Sequence, residues 1–205
     1  MKTAINKKSF QKIGLIVVLL IAIYFIFNDA LQYFIFTEES YGAYFWQRVN
    51  WVFPHVVCGI IALLIGPFQF SNGLRAKYIK WHRRSGYVYL TAILIGGIAS
   101  LGLAFTSKVN ITYMMGLTFL AVAWFLTSGM ALFCILKRKI LQHKEWMIRS
   151  YVVTFAFVVF RLSSDVLRHY EIVDHPDRGA LLSWACWAVP LLFTEVILQY
   201  RKTFK

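Results

Sequence analysis

Acidic residues are scarce in this sequence: nine Asp and Glu stand against 22 Lys and Arg, and charged residues of both signs make up only 15% of 205 residues. A soluble domain carries about 25%, so this composition does not build a water-facing surface around one core. Cysteine is also sparse. Cys58, Cys134 and Cys186 all fall inside apolar runs, which leaves no basis for a disulfide framework. Buried free cysteine behaves as a small hydrophobe, and that is the expectation for all three. The chain has no internal repeat, no low-complexity tract, no Gly-rich phosphate loop and no closely spaced metal-binding Cys pairs.

What the sequence does have is apolar surface: 59% of its residues are hydrophobic. They fall into six runs, about 13–36, 52–70, 86–105, 111–136, 147–166 and 181–200, each near the roughly 20 residues a helix needs to cross a bilayer. The expected fold is an all-α polytopic membrane bundle, a single membrane domain over 1–205. The first run follows Lys2, Lys7, Lys8 and Lys12 as a secretory signal would. It continues too far for one, since a signal's apolar region spans about 7 to 15 residues, and a retained signal anchor is expected. Cleavage after Ala30 is the alternative. Pro54 suits the first turn of its helix, and Ser71-Asn72-Gly73 supplies turn chemistry after the same span.

The net charge of +13 sits in short loops. That placement fits topology signals and attraction to anionic headgroups, and it argues against nucleic acid as a partner. Seventeen Lys and Arg fall on one side of the predicted spans and four on the other, with Arg161 inside a span. The positive-inside rule therefore places both termini in the cytoplasm, in a bacterial cytoplasmic membrane.

Ionisable groups at membrane depth are costly and mark candidate sites. On the basic side, His82 and His143 start spans three and five at similar depth, flanked by Trp81, Arg83, Arg84, Trp146 and Arg149. Two opposed imidazoles suit a low-spin haem b iron, with Arg83, Arg149 and Trp146 as rim contacts. The alternatives are an interfacial belt that anchors helix ends and a quinone or lipid headgroup site. On the opposite side, Arg161 and Asp165 are four residues apart, so an ion pair between them is expected. His55 and Asp29 fall near the same depth. These residues outline a polar cavity for a proton, a metal or the head of a small redox molecule.

Gln69 lies 14 residues beyond His55, on the same helix face, where it could bond a carbonyl left free near Pro67. Glu195, below a kink expected at Pro190, should meet a basic group of the inner rim, with a proton-relay role as the sharper reading. His169 and His175 share a loop with Glu171, Asp174 and Asp177, read as a solvated turn or a weak divalent-cation site. The span glycines Gly59, Gly66, Gly96, Gly97, Gly116 and Gly129 point to close helix packing.

Three motifs carry a resemblance: His55 followed by Gly59 to Phe70, His82-Arg83 with Gly86 and Tyr89, and His143 with Trp146-Met147 and Arg149-Ser150. Over roughly 50–165 the chain resembles an uncharacterised bacterial family of predicted multispanning membrane proteins, catalogued as a domain of unknown function. The resemblance singles out His55, Gln69, His82, Arg83, His143, Trp146, Arg149 and Arg161 and implies no activity. A more distant similarity is to the transmembrane two-haem cytochromes b, whose four-helix core carries paired histidines at two levels. Span four has no histidine, and His55 and His169 differ in depth by about 9 Å. The similarity thus implies an inner haem through His82 and His143 rather than an outer one.

The functional expectation is a membrane redox component, linked to haem b or a quinone and passing electrons to a redox partner. A small-molecule or proton-coupled transporter using His55, Arg161 and Asp165, or a ligand-free assembly factor, are the alternatives.

Overall fold

The computed structural model describes residues 7–204; Lys2, Lys205 and the side chain of His175 lie outside the described residues. The described residues are helical, without strands, and contain six helices long and apolar enough to cross a membrane. In chain order these are a first span built on α1 (Lys7–Phe25), then α3 (Val49–Gln69), α5 (Ile79–Phe105), α6 (Ile111–Leu136), the α7–α8 pair (Ile140–Thr154 and Ala156–His169) and α9 (His175–Thr203). Two short helices join them, α2 (Glu38–Trp46), interrupted by Gly42 at a φ of 68°, and α4 (Asn72–Lys77).

Several helix ends lie outside the apolar runs. α5 starts at Ile79, seven residues before the expected Gly86, because Lys80, Arg83 and Arg84 are good helix formers that hydropathy does not register. α3 starts at Val49, which moves Pro54 from the expected first turn into the second. Ser71 caps α4 by accepting from the Leu74 amide. The first span is not a uniform helix: a π turn over Ile26–Ala30 and a 3-10 turn over Leu31–Phe34 follow α1. Tyr41 of α2 donates to the Tyr33 carbonyl at 2.5 Å and fastens α2 to that irregular end. Burial raises the Tyr41 phenol above its ordinary pKa and keeps it a donor.

Four helices close a ring, α3 on α5, α5 on α6, α6 on α7 and α7 back on α3. α9 packs outside against α6, α7 and α8, and the first span lies against α3 and α8. Small residues permit the close approaches: the Tyr151 ring occupies the space a side chain at Gly66 would need, and Cys58 does the same at Gly96. All three cysteines are buried and free.

A chain of hydroxyls crosses the ring's interior. Thr154 Oγ1 donates to the Ser150 carbonyl at 2.9 Å and accepts from Trp124 Nε1 at 2.8 Å. With its only hydrogen used, it must also accept from Tyr89 Oη, 3.0 Å away. The same accounting makes Ser150 the donor to Tyr89 at 2.9 Å and Ser128 the donor to Ser150 at 2.8 Å. The Thr154 back-bond lies beside a break the apolar run concealed. A Thr hydroxyl bonded four residues back bends a helix, and the helical bonding shifts at Phe155, whose amide meets both the Tyr151 and Val152 carbonyls.

Candidate functional site

The ring and the first span enclose a cavity of about 160 Å³ at the end of the bundle away from the basic loops. Its α3 wall runs from Arg48 through Val52, His55, Val56, Gly59 and Ile60 to Leu63, seven residues on one face that span about 22 Å. Leu117, Leu120 and Trp124 of α6 face it, with Phe157 and Arg161 of α8 and Asp29 and Tyr33 of the first span. The space is an elongated apolar slot with a few polar groups.

His55 sits midway along it. Its Nδ1 lies 3.0 Å from the Gly96 carbonyl of α5. A carbonyl only accepts, so Nδ1 carries the hydrogen, and in the neutral ring Nε2 is a lone pair. The imidazole meets Trp124 and Phe157 edge-on, with ring centres 6.3 and 5.5 Å away.

At the mouth the expected ion pair is replaced. Asp165 accepts from Arg168 at 2.8 Å, and both side chains are exposed. Arg161 instead has its Nε 3.9 Å from Asp29 Oδ1. Two facts account for the exchange: Arg168 follows Asp165 by three residues and reaches it on the outer face, and the π turn carries Asp29 toward the slot. Of the expected outer cluster, His55 and Arg161 line the slot and Asp165 does not.

Arg48, Tyr113 and Tyr44 also line the mouth, and sequence reasoning had taken Arg48 only as a loop charge. Arg48 occupies the residue before α3 without a side-chain cap bond, its guanidinium 3.5 Å from the Tyr44 ring centre. Its Nε donates to the Tyr44 carbonyl at 3.1 Å and its Nη1 to the Leu103 carbonyl at 3.4 Å, while Nη2 is buried without a partner.

At the basic end His82 and His143 lie within electrostatic range of each other. His143 Nδ1 is 2.8 Å from the Ala131 carbonyl, which turns its Nε2 lone pair outward as second-shell bonding does for metal-ligating histidines. His82 Nδ1 is buried and has no partner. Exposed Arg83 follows His82 directly in the chain. Arg149 and Trp146, expected as rim contacts, lie against each other beside α9. Arg149 gives Nε and Nη2 to Glu195 Oε2 of α9 at 2.8 and 2.5 Å and lies over the Trp146 ring. Glu195 thus has the basic partner expected for it, and Gln69 bonds Ser85 of α5 at 2.7 Å instead of a carbonyl near Pro67. Among the described residues, no three of His, Cys, Asp and Glu converge as a metal site, near His169 or elsewhere.

Residues 52–198 match a family described as "Predicted membrane protein (DUF2306)". The chain belongs to this family. The match covers His55, His82, His143 and Arg161, and leaves Asp29 and Arg48 in the segment before it. No curated protein and no solved structure matches the chain, and neither comparison shows a likeness to cytochromes b.

Proposed function

We propose that this membrane protein is a redox component that binds the head of a quinone in the slot. The observation that supports this reading is the His55 Nε2 lone pair set among apolar walls in a cavity of about 160 Å³. A dry engineered cavity of about 150 Å³ takes one benzene ring, so the space suits a single-ring head. A quinol hydroxyl would donate to Nε2, which places a proton acceptor at the atom that loses its proton on oxidation. The elongated walls would take part of an isoprenoid tail.

Haem b belongs to the same reading, at the other end of the bundle. His82 and His143 would ligate it, Arg83 would meet its propionates, and the group when bound would supply one-electron transfer. With the basic loops in the cytoplasm of a bacterial cell, the slot would face the outer leaflet.

The test is a titration of purified protein in detergent with a short-tailed quinone, read by quenching of tryptophan fluorescence, since Trp124 lines the slot. Saturable quenching that His55→Leu weakens about tenfold is expected. Quenching that never saturates would remove the quinone.

Small-molecule transport is favoured by one observation: two spans are interrupted beside the slot, at Ile26–Ala30 and at Phe155, and broken helices line the substrate sites of many transporters. Quinone-independent uptake of a solute by proteoliposomes would select this reading. A ligand-free assembly role would leave both assays silent.

A further inference from the structure

We propose that the mouth of the slot binds the oxyanion head, carboxylate or phosphate, of an amphiphile whose single acyl chain enters the apolar interior. The inference uses Arg48, Arg161 and Tyr113, with Arg48 about two helical turns from His55, and holds whether or not a quinone binds.

Charge balance is the first argument. Arg48 and Arg161 bring two permanent positive charges to the slot, and among the described residues Asp29 is the only carboxylate in its lining. Asp165 is close by but is taken by Arg168. An unbalanced charge beside hydrocarbon is costly, and such groups find a partner or mark a pathway. One anion would supply the missing partner.

The second argument is hydrogen bonding. Arg48 Nη2 is buried and bonds nothing. Arg161 and Asp29 are 3.9 Å apart, beyond hydrogen-bond reach, which leaves Arg161 donors for another group. Tyr113 adds a phenol within electrostatic range of both arginines. Guanidinium forks suit carboxylate and phosphate oxygens.

The walls decide the rest of the ligand. Below the mouth the α3 face is apolar except for His55, from Val52 to Leu63, so a free inorganic anion would leave about three helical turns of apolar surface unused. A chain attached to the anion would cover it.

The test uses wild-type protein in a nonionic detergent and a dansyl-labelled undecanoic acid, read by energy transfer from tryptophan. Saturable binding is expected, and the methyl ester of the same probe should bind at least tenfold more weakly; equal binding by acid and ester overturns the proposal without any variant. Arg48→Gln and Arg161→Gln should each weaken the acid about tenfold. Affinity unaltered in both arginine variants also overturns it. Displacement by palmitate identifies a carboxylate head, and displacement by a lysophosphatidic acid identifies a lipid phosphate. Displacement by inorganic phosphate at concentrations like those of either lipid would show a plain anion site and remove the chain.

Discussion

Tyr89 on α5 donates to Thr154 on α7 across 3.0 Å, and the two helices sit diagonally in the four-helix ring. Tyr89 is wholly buried, and its phenol also accepts from Ser150. Losing the hydroxyl would leave Ser150 without an acceptor and Thr154 short of a donor. Tyr89→Phe should therefore lower stability by about 1 kcal/mol, in the range of hydrogen bonds between membrane helices. Thr154→Val should cost a similar amount, and the double variant less than the sum. Additive losses in a denaturant titration would show that the two do not interact.

Arg149 and Glu195 tie α7 to α9 at the basic end. Arg149 is only 8% exposed, and Glu145 at 3.9 Å is its one other carboxylate. Glu195→Ala removes the acceptor of two guanidinium bonds, for a cost of about 1–3 kcal/mol. Glu195→Gln should recover part of it, because the amide oxygen still accepts. Thermal unfolding in detergent would compare them; a Glu195→Ala protein as stable as wild type would show that Glu145 alone satisfies Arg149.

The six membrane-length helices were legible because apolar runs of span length admit few other structures. Their ends were not. A helix can run past its apolar stretch on Lys and Arg, as α5 does at Ile79, and hydropathy sees only the stretch. The break at Phe155 has no Pro or Gly to announce it, and the Thr hydroxyl beside it makes a back-bond that continuous helices here also carry. The residues that carried the family resemblance turn out to tie helices together: His55 to Gly96, Gln69 to Ser85, Tyr89 to Ser150, His143 to Ala131 and Arg149 to Glu195. The motif is thus in large part a record of packing. In the slot, His55 and Arg161 were legible as costly polar residues at one depth. Arg48 was not, because a residue at a helix start reads as a loop charge until its burial is known.

The haem reading predicts a Soret band in protein expressed with ample haem. His82→Ala or His143→Ala alone should abolish the low-spin spectrum, because six-coordinate iron needs both ligands. His55→Ala should leave it intact. Colourless wild-type protein would end this reading and leave His82 and His143 as anchors of their helix ends.

The orientation proposed above rests on the asymmetry of 17 to four in Lys and Arg. A cytoplasm-active reporter fused after Lys205 should be active, and one inserted near Asp174 silent. The reverse pattern would turn the bundle over and bring the slot to the inner leaflet.

Asp29 and Asp165 offer a direct comparison, since sequence spacing favours Asp165 as the partner of Arg161 and the structure places Asp29 there. Asp165 and Arg168 are 55% and 70% exposed and three residues apart on α8; exposed helix pairs of this kind contribute about 0.3–0.5 kcal/mol. Asp165→Ala should thus be nearly silent. Asp29→Ala removes what is, among the described residues, the only carboxylate in the slot lining and leaves Arg48 and Arg161 facing each other's charge. Because Arg161 is 40% exposed and can turn outward, the loss should be moderate, about 1 kcal/mol. Adding Arg161→Gln to Asp29→Ala should restore part of it, whereas adding it to Asp165→Ala should restore nothing. If Asp165→Ala were instead the costlier change and Arg161→Gln rescued it, the pairing across the first span would be wrong and the charge balance at the mouth would need a different partner.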